Sequence, residues 1–273
     1  MRRLVRVIAL AIPITVSISL STGAMEQNKG QWKEEANGAW SYYEENVPLA
    51  DAHIENWYVS VSGTYIKQSE EIQILNKLIS SYSEGTREYV LTCSLGTITR
   101  AKSLIDSYIG RASLIWYYSD SLTTFYIYKE DVDSLYTNYR QVGEYMRQYD
   151  NRILTKLTQR ERAIEIANII IENFEYDYSL QNLTIDKLVA TGTGVCYGYS
   201  LLFERMCAMY GIECYEVRGY VLQPNTSRVY HSWNEVVIDG VTEVWDITFA
   251  DTSTYTARYL NIQEPIKSQY YKE

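Results

Sequence analysis

Cys196 follows the glycine-punctuated run Gly192-Thr193-Gly194 and opens an apolar-periodic stretch, LLFERMCAMY at 201–210, which stops at Gly211, a C-terminal cap position. A thiol at the first turn of a helix faces the positive end of the macrodipole and several unpaired N–H groups, an environment that favours the thiolate. Cys207 lies mid-helix between Met206 and Met209, and Cys93 and Cys214 lie in strand-like runs, so these three read as small buried apolar residues. The chain of 273 residues holds two histidines, His53 and His231. Asp239-Gly240 is a strong two-residue hairpin signal between the strand-like runs 229–238 and 241–249. That turn would set Ile238 opposite Val241, Trp233 opposite Asp246 and His231 opposite Thr248, making His231 and Asp246 diagonal neighbours on one face at roughly 7 Å. The other face, with Tyr230, Val236, Ile238, Val241, Trp245, Ile247 and Phe249, reads as the core side. The chemistry available to such a trio is acyl transfer. A thiolate attacks an amide carbonyl, an imidazolium protonates the departing amine, and a carboxylate orients the imidazole. Spacing and register alone leave the alternative of a buried cysteine beside a structural strand histidine.

The elements that must position these residues are legible in outline. Thr158 and Glu161 form a capping box ahead of a helix over 158–174, with Ala163, Ile166, Ala167, Ile170 and Ile171 on one apolar face. A Tyr-rich connection through Tyr176, Asp177 and Tyr178 leads to the cysteine loop, and 213–222 reads as a strand. Upstream, 69–80, 99–109 and 131–148 read as helices and 88–94, 113–118 and 123–128 as strands. Weakly patterned residues 25–46 read as a surface helix. The expected class is α+β, with a module over 25–150 and a second domain over 151–273.

Composition narrows the function classes. With 46% hydrophobic and 22% charged residues the chain can bury a sizeable core. Two histidines and four cysteines leave little for a metal centre, and no calcium-loop pattern is present, so neither metal nor cofactor is expected. Residues 1–24 carry Arg2, Arg3 and Arg6, an apolar run from Val7 to Leu20 and the small residues Thr22, Gly23 and Ala24, the pattern of a cleaved secretory signal. Removing them leaves 22 Lys plus Arg against 34 Asp plus Glu, a net charge of −12. Nucleic acid and anionic membrane are therefore poor partners, with membrane contact expected only during export. The expected location is extracellular or at the cell surface.

The ordered segments GVCYGYSLLF at 194–203, GIECYEVRGY at 211–220, HSWNEVVIDG at 231–240 and VWDITFAD at 244–251 resemble the successive motifs of the bacterial transglutaminase-like domain, over roughly residues 155–265. The resemblance implies a papain-like fold, with Cys on a helix N-terminus packed on an antiparallel sheet. It assigns the nucleophile to Cys196, the acid/base to His231 and the orienting carboxylate to Asp246. It further implies an oxyanion donor upstream of the cysteine, for which Tyr176 is the candidate, and packing around His231 and Asp246 by Trp233, Asn234, Trp245 and Thr248. The function it implies is a thiol enzyme acting on a peptide or protein substrate, cell-wall peptide among them, through a thioester. Water resolving the thioester gives a protease or amidase; an amine gives a cross-linking transglutaminase. A non-catalytic surface-binding module is the alternative from another class.

Overall fold

The computed structural model describes residues 123–222 and 228–272 without a break, and before residue 123 the strands and helices named here together with Tyr82 and Gly110. The amino-terminal half contributes strands β1 (Thr15–Ser19), β2 (Gln31–Glu34), β3 (Trp40–Glu44), β4 (Val47–Pro48), β5 (Ala52–Ile54), β6 (Trp57–Val59) and β7 (Tyr65–Lys67). Helix α1 (Glu70–Ser80), β8 (Glu88–Cys93), helix α2 (Leu95–Ile109), β9 (Leu114–Tyr118), β10 (Thr123–Tyr128) and helix α3 (Lys129–Arg147) follow. β1, β8, β10 and β9 form one sheet in that order, with β1 parallel to β8. Most of the signal-like stretch 1–24 lies outside the described residues; β1 is the part that does not.

The helix expected over 25–46 is not formed. β2 and β3 pair antiparallel there, with Trp32 opposite Tyr42, and β4 joins the edge. Aromatic side chains such as Trp32, Trp40, Tyr42 and Tyr43 favour a pleated surface over weak helical spacing. The other expected helices and strands of this half appear with ends shifted by a few residues, α2 starting earlier, at Leu95.

The second half comprises helices α4 (Asp150–Leu154) and α5 (Gln159–Asn173), β11 (Glu175–Tyr176), α6 (Ile185–Thr191), β12 (Thr193–Gly194), α7 (Cys196–Met209), β13 (Glu213–Leu222), β14 (Arg228–Ile238), β15 (Val241–Trp245), α8 (Ile247–Thr252) and β16 (Tyr270–Lys272). The capping box at the start of α5 is reciprocal: Thr158 Oγ1 accepts the Glu161 N–H at 3.1 Å and Glu161 Oε2 accepts the Thr158 N–H at 3.0 Å. Its apolar face buries Ala163, Ile166, Ala167 and Ile170. Buried side chains from both sides of residue 150, among them Leu78, Tyr108, Val142, Ile170, Phe203 and Trp245, belong to one core cluster.

The sheet that carries the site is antiparallel, in the order β15-β14-β13-β16, with α7 laid across β13 and β14. Two contacts fix α7 there. Asn234 Nδ2 donates to the Ser200 carbonyl at 3.0 Å, and the Phe203 ring stacks on Trp245 at 5.8 Å between centroids. The hairpin turn has Asp239 at φ 52° and Gly240 at φ 78°, the left-handed pair of a type I′ turn, and Ile238 faces Val241. The ladder then stops at Asn234 opposite Trp245. The strand expected to run to Phe249 ends here, because Asp246 caps α8 by accepting the Phe249 N–H at 2.9 Å on Oδ1. Two residues assigned to the core side of the hairpin are exposed, Tyr230 at 60% and Val241 at 61%, since they lie at the open end and the turn of the sheet.

The loop before α7 is held by close packing. A Cβ placed on Gly194 would lie 2.7 Å from Leu188 Cδ1, 3.2 Å from its Cβ and 3.4 Å from its Cγ, and Leu188 is fully buried on α6. Gly194→Ala is expected to lower stability by about 1–3 kcal/mol through overpacking, measured by urea unfolding. An unchanged midpoint would show that α6 yields freely beneath this loop.

Candidate active site

Cys196 is the first residue of α7, after Val195 at the N-cap, and is partly exposed. The first helical bond of this turn is Tyr199 N–H to the Val195 carbonyl, so the backbone N–H groups of Cys196, Tyr197 and Gly198 precede the ladder and point out of the helix start. β12 delivers this turn by parallel pairing with β11, which sets Tyr176 opposite Gly194.

β14 brings in His231, which is 5% exposed, and the end of β15 brings in Asp246, which is fully buried. His231 Nε2 lies 2.7 Å from Asp246 Oδ2. The Cys196 sulfur interacts electrostatically with the same imidazole, so Cys196 at the start of α7, His231 and Asp246 converge on one ring. Burial pushes the His231 pKa down, but the Asp246 carboxylate and then the cysteine sulfur favour the imidazolium more strongly, and the value is raised to about 10. At neutral pH the ring is protonated.

The carboxylate is engaged by three donors. Asp246 Oδ1 accepts the Phe249 N–H, and Oδ2 accepts from both His231 and the Tyr270 hydroxyl, the latter at 2.9 Å. Its own N–H donates to the Tyr259 carbonyl at 2.8 Å. The imidazole is packed on one side by Phe249, with centroids 4.5 Å apart and planes 17° from parallel, and stacks with Trp233 at 6.5 Å.

The residues named from the sequence fall into distinct places. Trp233 touches His231 directly, whereas Asn234 and Trp245 act at a remove by fixing α7 on the sheet. Thr248 is buried in α8 rather than facing His231 across a strand pair. Tyr176 borders the site: burial raises its pKa first, and the charges of Cys196 and Asp246 push in the same direction, so its hydroxyl keeps its proton. Tyr197 turns away from the imidazole, its hydroxyl on the Ser103 carbonyl at 3.3 Å and its ring 3.9 Å beneath the Arg218 guanidinium. Cys207 and Cys214 are buried thiols in contact with each other, as core residues rather than nucleophiles.

Two contacts were not read from the sequence. Strand alternation puts Phe249 on the face opposite His231, but α8 breaks that alternation at Asp246 and swings Phe249 over the imidazole. An Asp followed three residues later by the N–H it caps is the signal that would have found it. Tyr270 comes from the last strand, 24 residues beyond Asp246, and no local pattern ties it to the site. Among the described residues no group of three or more His, Cys, Asp or Glu side chains is arranged to hold a metal ion, and no helix is long and apolar enough to cross a membrane.

Residues 147–245 match the model of the Transglutaminase-like superfamily. The chain is 31% identical over 119 residues to Kyphoscoliosis peptidase of Mus musculus and 30% identical over 120 residues to that of Homo sapiens, covering 37% and 38% of this chain. Each match takes in 18% of the relative, so the shared part is a small fraction of those proteins. A crystal structure of a TGase overlays with a TM-score of 0.33 and 13% identity, covering 62% of this chain and 53% of that one. With an α+β core in which a cysteine opens a helix packed across an antiparallel sheet, the chain carries a transglutaminase-like domain over residues 147–245.

Proposed function

We propose that Cys196, His231 and Asp246 form the catalytic triad of a thiol enzyme that cleaves amide or peptide bonds through a thioester. The observation that carries this reading is the buried 2.7 Å bond between His231 Nε2 and Asp246 Oδ2, on an imidazole with which the Cys196 sulfur also interacts. The Cys196 sulfur attacks the carbonyl carbon, and the backbone N–H groups at the start of α7 are the donors offered to the developing oxyanion, with Tyr176, paired opposite Gly194, as the further candidate donor. His231 gives its proton to the departing amine as the C–N bond breaks, leaving an acyl group on sulfur. A water molecule deprotonated by His231 then adds to the thioester, releasing the carboxylic acid and restoring the thiolate–imidazolium pair.

Hydrolysis is favoured over transfer to an amine by the likeness to Kyphoscoliosis peptidase. The substrate is a peptide or protein, with cell-wall peptides among those fitting an exported enzyme of net charge −12 after loss of residues 1–24. Export rests on Arg2, Arg3, Arg6 and the apolar run that follows them, and cleavage after Ala24 removes β1, the edge strand beside β8, leaving β8, β10 and β9 as the sheet. Amino-terminal sequencing of the protein recovered outside the cell is expected to begin at Met25; recovery with Arg2 still in place would contradict export by cleavage.

Iodoacetamide at neutral pH is expected to label Cys196 well ahead of Cys207 and Cys214, which are buried, with the sites resolved by peptide mass spectrometry. Cys196→Ala should lower peptide hydrolysis by at least about 10³-fold while leaving the unfolding midpoint within about 1 kcal/mol; a variant that keeps turnover would remove the nucleophile. A primary amine added to the same assay separates the two fates of the thioester: free acid is the expected product, and an amide of the added amine would make the protein a transamidase.

The pH dependence follows from the sign of the His231 shift. Its pKa in the folded chain lies above the ordinary histidine value of about 6.5, so its contribution to stability is complete below that value and is lost as pH rises through about 10. The unfolding midpoint of the wild type should therefore fall between pH 7 and 10, and the fall should be smaller in His231→Gln. Equal slopes for the two proteins would contradict the imidazolium–carboxylate pair.

A further inference from the structure

We infer that Tyr270 is a positioning residue of the active site, completing the triad by holding the Asp246 carboxylate through its hydroxyl; this rests on the catalytic reading of Cys196, His231 and Asp246. Tyr270 lies outside residues 147–245, the part matched to the family. It reaches the site because β16 pairs with β13, Tyr270 opposite Val221, at the far edge of the sheet that carries His231. Its hydroxyl donates to Asp246 Oδ2 at 2.9 Å, the same oxygen that receives His231 Nε2. Its ring sits edge-on against Trp233 at 5.2 Å, and Trp233 in turn stacks with His231. One side chain thus bonds the carboxylate and buttresses the aromatic wall of the imidazole.

Further bonds tie the segment before β16 to the same place. The Tyr259 carbonyl accepts the Asp246 N–H, and the Ile262 N–H donates to the Val244 carbonyl at 2.7 Å. Tyr259, Ile262, Ile266 and Tyr270 pack with Trp233 and Val244 in a small cluster separate from the main core. The carboxyl-terminal strap therefore encloses the carboxylate end of the site, and Tyr270 is its polar contact with the reacting groups.

The physical effect of the hydroxyl is to share the negative charge of Asp246 Oδ2, leaving less of it to hold the proton on His231. The titratable groups around the imidazole are Cys196 on α7, Asp246 at the cap of α8 and Tyr270 on β16, with Tyr259 beside Tyr270 and Tyr176 on β11 beyond Cys196. Tyr270→Phe keeps the ring and removes only the donor. Asp246 then pulls harder on the imidazolium, which becomes a weaker acid towards the departing amine.

The test is a proton NMR titration of the histidine ring signals in the full chain, read beside steady-state kinetics. His53→Gln leaves a single histidine signal and so assigns His231. In Tyr270→Phe the His231 midpoint is expected to rise by about half a unit or more, and kcat to fall about tenfold with KM unchanged. Tyr255→Phe, at an exposed tyrosine whose ring lies 4.5 Å from the Arg258 guanidinium, should match the wild type in both. A His231 midpoint that does not move in Tyr270→Phe overturns the inference even if the protein is less stable, since that is the result of packing alone. The titration needs no turnover: a wild type with no peptide hydrolysis would defeat the catalytic reading, while the His231 shift would still report whether Tyr270 acts on the carboxylate.

Discussion

A carboxylate taken fully out of water is costly unless its lone pairs are engaged, and the architecture around Asp246 follows from that constraint. Three donors from three elements meet it: the Phe249 N–H at the start of α8, the His231 imidazolium on β14 and the Tyr270 hydroxyl on β16. Each donor also performs a second task. The Phe249 N–H begins the helix that lays Phe249 over the imidazole, His231 meets Cys196, and Tyr270 anchors the last strand. Removing a single partner from such a group exposes the remaining charge to a desolvation penalty of about 3–5 kcal/mol. The site and the fold around it are therefore held by the same bonds.

Placement of the sulfur is a separate problem, solved by packing. α7 must present its first residue to His231, and it is pinned along its length by Asn234 on the Ser200 carbonyl and by Phe203 on Trp245. At its start the loop is shaped by Gly194, where Leu188 leaves no room for a side chain, and by the β11–β12 pairing that brings Tyr176 alongside. The tyrosines, 27 in all, enter this scheme as polar tips on apolar bodies. Tyr199 and Tyr210 are fully buried and place their hydroxyls on Asp251 and Asp150, at 2.9 and 2.6 Å, and Tyr270 does the same with Asp246. Part of the tyrosine excess is thus explained by rings that fill the core while their hydroxyls answer buried or half-buried carboxylates.

Local signals made much of this legible before any coordinates. The capping box at Thr158, the cysteine after its glycines, the cap at Gly211 and the Asp239-Gly240 turn are each set by a few adjacent residues, and each is found where those residues imply. The failures share a different cause. The apolar run after Asp246 suggests a strand, yet an aspartate that can cap a helix competes with strand pairing and prevails, so Thr248 and Phe249 belong to α8 instead. The aromatic segment over 31–44 has both helical and alternating spacing, and the pairing of β2 with β3 decides between them. Tyr270 was out of reach, because its partner lies 24 residues away and the contact exists only once β16 has joined the sheet.

The central claim is that the Cys196 sulfur, poised against a protonated His231, takes an acyl group from a carbonyl. Intact-protein mass spectrometry after rapid quenching with an activated amide or ester substrate tests it most directly. The expected result is a single acyl adduct on the peptide containing Cys196, absent in Cys196→Ala and accumulating more slowly in Asp246→Asn. An adduct spread over Cys207 and Cys214, or none at all while substrate is consumed, would contradict the account.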